Sequence, residues 1–281
     1  MEEDVEREEG FVPLDRAKAP APLNCAAAFL ALGGEGAAKK VASAFSCAAF
    51  SVQRAQEEEG AWLKSEALPG GGTASCLKIG SKVPLDHALS PLLPEQASLT
   101  VFDPGRVEIK EALYSMCSCY VTDAGDREVL RNFSSLSKAG SKAIDLSWER
   151  GRQWRERALS LFSKKKALSF CIEAGRLDAG VMLLAGWIRE EFSLPAKIVQ
   201  GPTFSASVTK ISAECGDGEA YIREEEGGKA FEIGEGGRAF RAPKQEASLA
   251  DLLVRQMGLL PPDPLYKSCL SFEIEGAQDV G

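Results

Sequence analysis

Apolar positions in the first half of this chain come as short runs separated by helical stripes. Leu23 to Leu32 is an Ala-rich apolar run that stops at Gly33-Gly34-Glu35-Gly36, a pattern that predicts a buried strand. Ala37 to Gln56 then has helical composition, with Val41, Ala44, Phe45 and Ala48 on one stripe, and Glu57-Glu58-Glu59-Gly60 ends it. Gly70-Gly71-Gly72 reads as a turn before a strand over Ala74 to Ile79. Asp86 to Leu93 predicts a short helix bounded by prolines, and Ser98 to Phe102 a strand closed by Asp103-Pro104-Gly105. Val107 to Met116 and Asp126 to Leu136 predict helices, with a strand over Cys117 to Thr122 between them. Alternating strands and helices of this kind build an α/β layer with a largely parallel sheet.

The pattern changes beyond Ser137-Lys138-Ala139-Gly140. Trp154, Ala158, Leu161 and Phe162 repeat at helical spacing, and Lys164-Lys165-Lys166 follows at the helix end, where cations suit the macrodipole. Leu168 to Ile172 predicts a strand, and Leu177, Val181, Leu184 and Ile188 line one face of a helix that ends before Pro195. From Lys197 the apolar runs shorten. Ile198-Val199, Ser207 to Ile211, Ala220 to Arg223, Ala230 to Ile233 and Arg238 to Arg241 are separated by Gly216-Asp217-Gly218, Gly227-Gly228 and Gly234 to Gly237, which is hairpin chemistry. Ser248 to Asp251 forms a capping box for a last helix carrying Leu249, Leu252, Leu253 and Met257. The expected organisation is an acidic tail over 1–20, an N-terminal α/β domain with a mostly parallel sheet over 21–140, and a C-terminal α+β domain with an antiparallel meander over 141–281.

Composition narrows the function classes. With 281 residues, 44% hydrophobic and 26% charged, the chain has the balance of a globular protein able to bury a sizeable core. Its net charge of -8 argues against nucleic acid and anionic membrane as partners, because both are bound through clustered cations. No apolar run reaches the roughly 18 residues of a membrane span. The first ten residues are acidic rather than basic and apolar, so a cytoplasmic location is expected. Eight dispersed cysteines include no C-x-x-C, and one histidine cannot form a cluster, so no metal and no disulfide framework is expected. Cys117 and Cys119 lie two apart in a predicted strand and would share a face; small buried hydrophobes are the reading favoured there.

Chemistry-bearing motifs are sparse. Gly34-Glu35-Gly36-Ala37-Ala38-Lys39 sits where a dinucleotide fingerprint would, but Lys39 replaces the third glycine and a tight turn is the simpler reading. His87 has no nucleophile motif beside it. Lys164 to Lys166 reads as a solvated helix end. No catalytic constellation and no cofactor motif emerges.

The densest segment is Ile144-Asp145-Leu146-Ser147-Trp148-Glu149-Arg150-Gly151-Arg152-Gln153-Trp154-Arg155, which holds two of the four tryptophans. Trp and Arg dominate interface hot spots through apolar area, cation–π reach and bidentate hydrogen bonding. They serve equally well as buried indoles with arginines on the outer face, and the residues leave both readings open. The arginines also suit an anionic ligand such as a sugar phosphate.

That segment resembles the "DLxWxRxxxWR" signature of the OpcA family of glucose-6-phosphate dehydrogenase assembly and activator proteins. Other stretches match in order: Leu85 to Pro94 resembles its "PLL-x-DLP" block, Cys119 to Ala124 its strand ending in an Asp step, and Leu183 to Ile188 its "LLAxWL" helix. Leu249 to Leu270, with Asp263 and Tyr266, resembles its C-terminal block. Val101-Phe102 stand where a Trp pair is common, and the signature lacks its usual Leu, Thr and Pro. The resemblance implies a non-catalytic partner of glucose-6-phosphate dehydrogenase, with Asp145, Trp148, Arg150, Trp154 and Arg155 as signature or partner-binding residues. It also implies a place for thioredoxin-dependent control in some members, for which the cysteine positions here offer no recognisable motif. An α/β enzyme or sensor for a phosphorylated sugar or nucleotide, using the Gly33–Lys39 turn and the signature arginines, is the alternative.

Overall fold

The computed structural model describes residues 11–14, 27–32, 35–55, 59–69, 71–93, 98–104, 117–123, 125–126, 142–201, 207–258 and 264–270. The helix expected over Val107–Met116 lies outside these residues, as does all but Asp126 of the one expected over Asp126–Leu136. The chain divides into two compact units, one comprising 1–122, 141–143 and 249–257, the other 123–140, 144–248 and 258–281.

The first unit is built on an eight-stranded sheet in the order β1-β4-β5-β3-β2-β6-β7-β8. Its strands are β1 (Val12–Pro13), β2 (Ala27–Ala31), β3 (Ala48–Arg54), β4 (Ala61–Ala67), β5 (Thr73–Ile79), β6 (Ser98–Asp103), β7 (Cys119–Thr122) and β8 (Lys142–Asp145). The chain passes from one unit to the other within β8. β5, β3, β2, β6 and β7 run parallel, while β4 joins β5 and β1 in antiparallel fashion. Phe29, Leu30, Phe50, Leu77, Val101 and Phe102 are buried along the central strands, as both-face coverage of parallel strands requires. Helix α1 (Glu35–Phe45) crosses from β2 to β3 and buries Ala37, Ala38, Val41 and Ala42. It approaches the turn before β5 so closely that a Cβ on Gly72 would stand 2.2 Å from the Ala42 carbonyl oxygen, so glycine is required there. Helix α2 (Leu85–Leu89) follows β5 and leads into a 3-10 turn over Ser90–Leu92. On the buried side of β6, Asp103 accepts the Tyr120 hydroxyl of β7.

The second unit contains a six-stranded sheet, β10-β9-β11-β12-β13-β14. Its strands are β9 (Ala167–Ala174), β10 (Ala196–Gln200), β11 (Val208–Cys215), β12 (Gly218–Glu224), β13 (Ala230–Glu235) and β14 (Arg238–Pro243). β9 and β10 are parallel, and every other pairing is antiparallel. The fold class expected from the sequence is therefore the one observed. Helices α3 (Ser147–Arg150), α4 (Arg152–Phe162) and α5 (Ala179–Phe192) belong to this unit. α5 is capped by Asp178, whose carboxylate accepts the Val181 amide at 3.1 Å, and ends at Ser193 in the left-handed conformation ahead of Pro195. Val181, Leu184 and Ile188 of its predicted stripe are all buried.

Two helices close the described chain, α6 (Leu249–Gly258) and α7 (Pro264–Leu270). Residues 249–257 of α6 pack within the first unit, where Asp251 pairs with Lys40 of α1 at 2.6 Å. α7 packs on α5 within the second unit. A Cβ on Gly186 would sit 3.2 Å from the Cys269 Cα, so the glycine of the Leu183–Ile188 motif permits that contact.

Two local expectations fail. The helix expected from Ala37 to Gln56 ends at Phe45, and Ala48–Arg54 is the central strand β3. Ser46 takes a positive φ of 50° between them, a break no glycine announces. β4 is missing from the expected elements: Leu63 is its only fully buried residue, so it shows no alternation to read.

Candidate functional site

The Trp/Arg segment forms the last residues of β8 and the two helices that follow, α3 and α4. Asp145 is completely buried at the end of β8. Its backbone N–H donates to the Tyr266 hydroxyl at 2.8 Å, and its carboxylate Oδ1 accepts the Ser147 amide at 2.7 Å. Oδ2 is buried and has no hydrogen-bond partner among the described residues. Burial drives the carboxyl up from 3.8 to about 6; the Ser147 hydroxyl and amide oppose the rise, the nearby Asp123 charge adds to it, and the Gly125 amide opposes it.

Both indoles are core. Trp148 is 3% and Trp154 5% exposed. Trp148 meets Tyr266 of α7 edge-on at 5.5 Å between centroids, and Trp154 meets Phe231 of β13 in the same way at 4.8 Å. The arginines divide between inside and outside. The Arg155 guanidinium lies 3.5 Å from the centre of the Trp148 ring and donates from Nη1 to the Trp148 carbonyl at 2.6 Å, closing the α3–α4 junction on itself. Arg150 is exposed and grips Asp123 with two bonds, Nε to Oδ1 at 3.1 Å and Nη2 to Oδ2 at 2.7 Å. Arg152 pairs along its own helix with Glu156 at 2.7 Å.

These side chains converge on the turn after β7. Asp123 receives Arg150, its charge reaches Asp145, and the Gly125 carbonyl accepts the Ala179 amide at the start of α5 at 3.1 Å. Asp178 caps the same helix end, held by the Ser207 hydroxyl at 2.6 Å and by Arg176 Nε at 3.1 Å. Asp145, Trp148, Arg150 and Arg155 thus belong to one node within the second unit, while Trp154 reaches away from it to the sheet. Sequence reasoning does not assign Asp123, Asp178 or Tyr266 to this site. Asp123 and Tyr266 do stand in stretches matching family blocks, and Asp178 carries the N-cap signal of its helix.

Among the described residues, no group of three or more His, Cys, Asp or Glu is placed to hold a metal ion, and no helix is long and apolar enough to cross a membrane. Seven of the eight cysteines are among the described residues. Burial pushes the Cys117 thiol up to about 11 and raises Cys171 and Cys215 as well, which disfavours the nucleophilic thiolate. His87 is exposed on α2. Lys39, in the glycine turn region, is engaged by Glu35 at 3.2 Å and Glu66 at 3.0 Å.

A second feature lies at the other end of α4. A cleft of about 690 Å³ is lined there by Arg157, Leu161 and Lys164–Lys166 on one side, and by Asp217, Ile233, Glu235 and Phe240 of the sheet and its turns.

Comparison with known families matches residues 141–270 to the C-terminal domain of the glucose-6-phosphate dehydrogenase subunit family, the OpcA type. The match takes in the whole Trp/Arg segment, α5, the meander and both closing helices. No curated protein matches the chain.

Proposed function

Over residues 141–270 the chain is a member of the OpcA family, and from that premise we propose that it is a non-catalytic assembly or activating subunit of glucose-6-phosphate dehydrogenase, acting in the oxidative pentose phosphate pathway. The observation that carries this reading is the family match itself. An assembly factor needs only to bind the active form of its enzyme better than the alternatives, since differential affinity shifts the population. A rigid scaffold suits that task. The Trp/Arg node supplies rigidity by tying β8, α3, α4 and α7 together through buried aromatic and charge-assisted contacts. Under this reading Asp145, Trp148, Trp154 and Arg155 hold the shape of the binding domain, and Arg150, exposed beside Asp123, is the signature residue that a partner can reach.

Sizing chromatography with glucose-6-phosphate dehydrogenase of the same organism tests the proposal, with activity assayed across the peak under reducing and oxidising conditions. Co-elution with a changed rate is expected. Separate elution with unchanged activity in both redox states would overturn it. A redox-dependent rate would bring the cysteines, and thioredoxin as a second partner, into the mechanism.

A further inference from the structure

We propose that the cleft between the end of α4 and the β13–β14 hairpin receives an extended acidic segment of a protein partner, one with an apolar side chain at its centre. Under the reading above, which this inference rests on, that segment belongs to the dehydrogenase. Three observations converge on it.

The first is charge. The chain carries a net charge of -8, yet this cleft is lined by four cations and two carboxylates. Both carboxylates are engaged by one lysine: Lys165 Nζ lies 2.8 Å from Asp217 and 2.9 Å from Glu235. Lys164 and Lys166 are exposed on either side of it and make no ion pair among the described residues. Two unengaged cations at one mouth of an acidic protein select for carboxylates and attract them from a distance.

The second is apolar exposure. Phe240 pairs in register with Ile233, so the two share a face of the sheet, yet Ile233 is 6% and Phe240 56% exposed. Packing of Trp154 and Arg157 against Phe231 covers the face further along β13, and cover fails at Phe240. A large aromatic on the core-facing side of a sheet, with the cleft beside it, is a seat for an apolar side chain.

The third is the sheet edge. β14 is the last strand in its order and, among the described residues, is paired on the β13 side only. Its far end is tied down, because Arg157 Nη2 donates to the Pro243 carbonyl at 2.6 Å and Gln153 bonds both backbone groups of Gln245. Arg238 to Ala242 remain as an exposed or half-exposed edge beside the cleft. An extended peptide adds to such an edge through its main chain, and its alternating side chains then fall to two faces. Carboxylates meet Lys164 and Lys166, and an apolar residue meets Phe240.

The test uses the full chain and a fluorescein-labelled peptide of sequence Glu-Glu-Glu-Phe-Glu-Glu-Glu, followed by anisotropy. Saturable binding is expected, weakened at least about tenfold by raising sodium chloride from roughly 50 to 500 mM. A similar loss is expected in a variant carrying Lys164→Glu, Lys166→Glu and Phe240→Ser. Far-UV circular dichroism and the melting temperature establish that this variant folds; Lys164→Glu with Lys166→Glu alone serves should the Phe240 change disturb the hairpin. Absence of saturable binding to the wild type, equal binding by the folded variant, or displacement of the peptide by millimolar inorganic phosphate would overturn the proposal, the last by revealing a small-anion site. The result is independent of whether the dehydrogenase binds, which co-elution of the wild-type chain decides.

Discussion

The two ends of α4 use charge in opposite ways. At its start, Arg155 lies on Trp148 and donates to a carbonyl of its own segment, Trp154 is buried against Phe231, and Asp145 is enclosed behind them. At its end, Lys164 and Lys166 project into solvent around a cleft, with Phe240 uncovered nearby. The first end is rich in residue types that dominate hot spots, yet most of them are engaged inside the domain. The second end reads in sequence as a plain solvated lysine run, yet it offers unengaged groups. Residue type alone does not separate an anchor from a contact; what separates them is whether the fold has already supplied each group with a partner.

Substitution at the buried end carries the largest expected effect. Trp154→Ala removes an indole that is 5% exposed and leaves the Phe231 edge uncovered, for an expected loss of about 4 kcal/mol in unfolding free energy. Denaturant titration measures it. A loss below about 1 kcal/mol would mean that the indole is not structural, and the contrast between the two ends would fail.

Asp145 comes next, and its effect depends on pH. Its carboxyl titrates at about 6 in the folded chain against 3.8 when free. Below 3.8 both states are protonated and the group contributes nothing. Between 3.8 and 6 the folded state holds a proton that the unfolded state has lost, so stability falls as pH rises. Above 6 both states are ionised and the burial cost is fully present, on the order of 3 kcal/mol. Asp145→Asn keeps an acceptor for the Ser147 amide and removes the charge. The variant is expected to be more stable than wild type at pH 7.5 and to show a flatter stability profile between pH 4 and 6. An unchanged slope in that window would show that Asp145 is not the group responsible.

Arg155→Lys probes the junction more gently. A lysine retains the charge but not the planar stack on Trp148 or the same reach to its carbonyl, so a loss of about 1–2 kcal/mol is expected. Thermal melts of the two proteins at matched pH and salt decide it, and equal melting temperatures would demote the stack to a surface contact.

The same contrast explains what is legible in the sequence. Parallel strands with continuous apolar runs, such as Ala27–Ala31 and Ser98–Asp103, declare themselves, as do hairpins with glycines at their tips. β4 does not, because an edge-side strand with one fully buried residue has no pattern to show. β3 merges with the preceding helix in the sequence pattern because Ala48 and Ala49 suit either structure and the break falls on Ser46, a residue type that does not announce a positive φ. At the candidate site the Trp/Arg segment is visible as a segment. Its division into buried and exposed members is not, because Asp123, Phe231 and Tyr266, which engage it, lie between 27 and 121 residues away in the chain from the residues they meet.

The smallest expected effect is the most discriminating one. Lys164→Ala with Lys166→Ala removes two exposed ammonium groups that make no ion pair among the described residues, so unfolding free energy should stay within about 0.5 kcal/mol of wild type. Two opposing contributions set its sign. The lysines follow the C-terminal end of α4, where cations complement the helix dipole, so their loss costs a few tenths of a kcal/mol. They also repel one another and Lys165, which two carboxylates already hold protonated, so their loss relieves a similar amount. Lys165→Ala is the internal control. It strands Asp217 and Glu235 beside each other across the β11–β12 and β13–β14 turns, so it should destabilise more than the double change although it removes one charge fewer. Denaturant titrations of the two variants in the same buffer rank them. A double variant less stable than Lys165→Ala would mean that Lys164 and Lys166 already serve the fold, and the two ends of α4 would then differ in degree only.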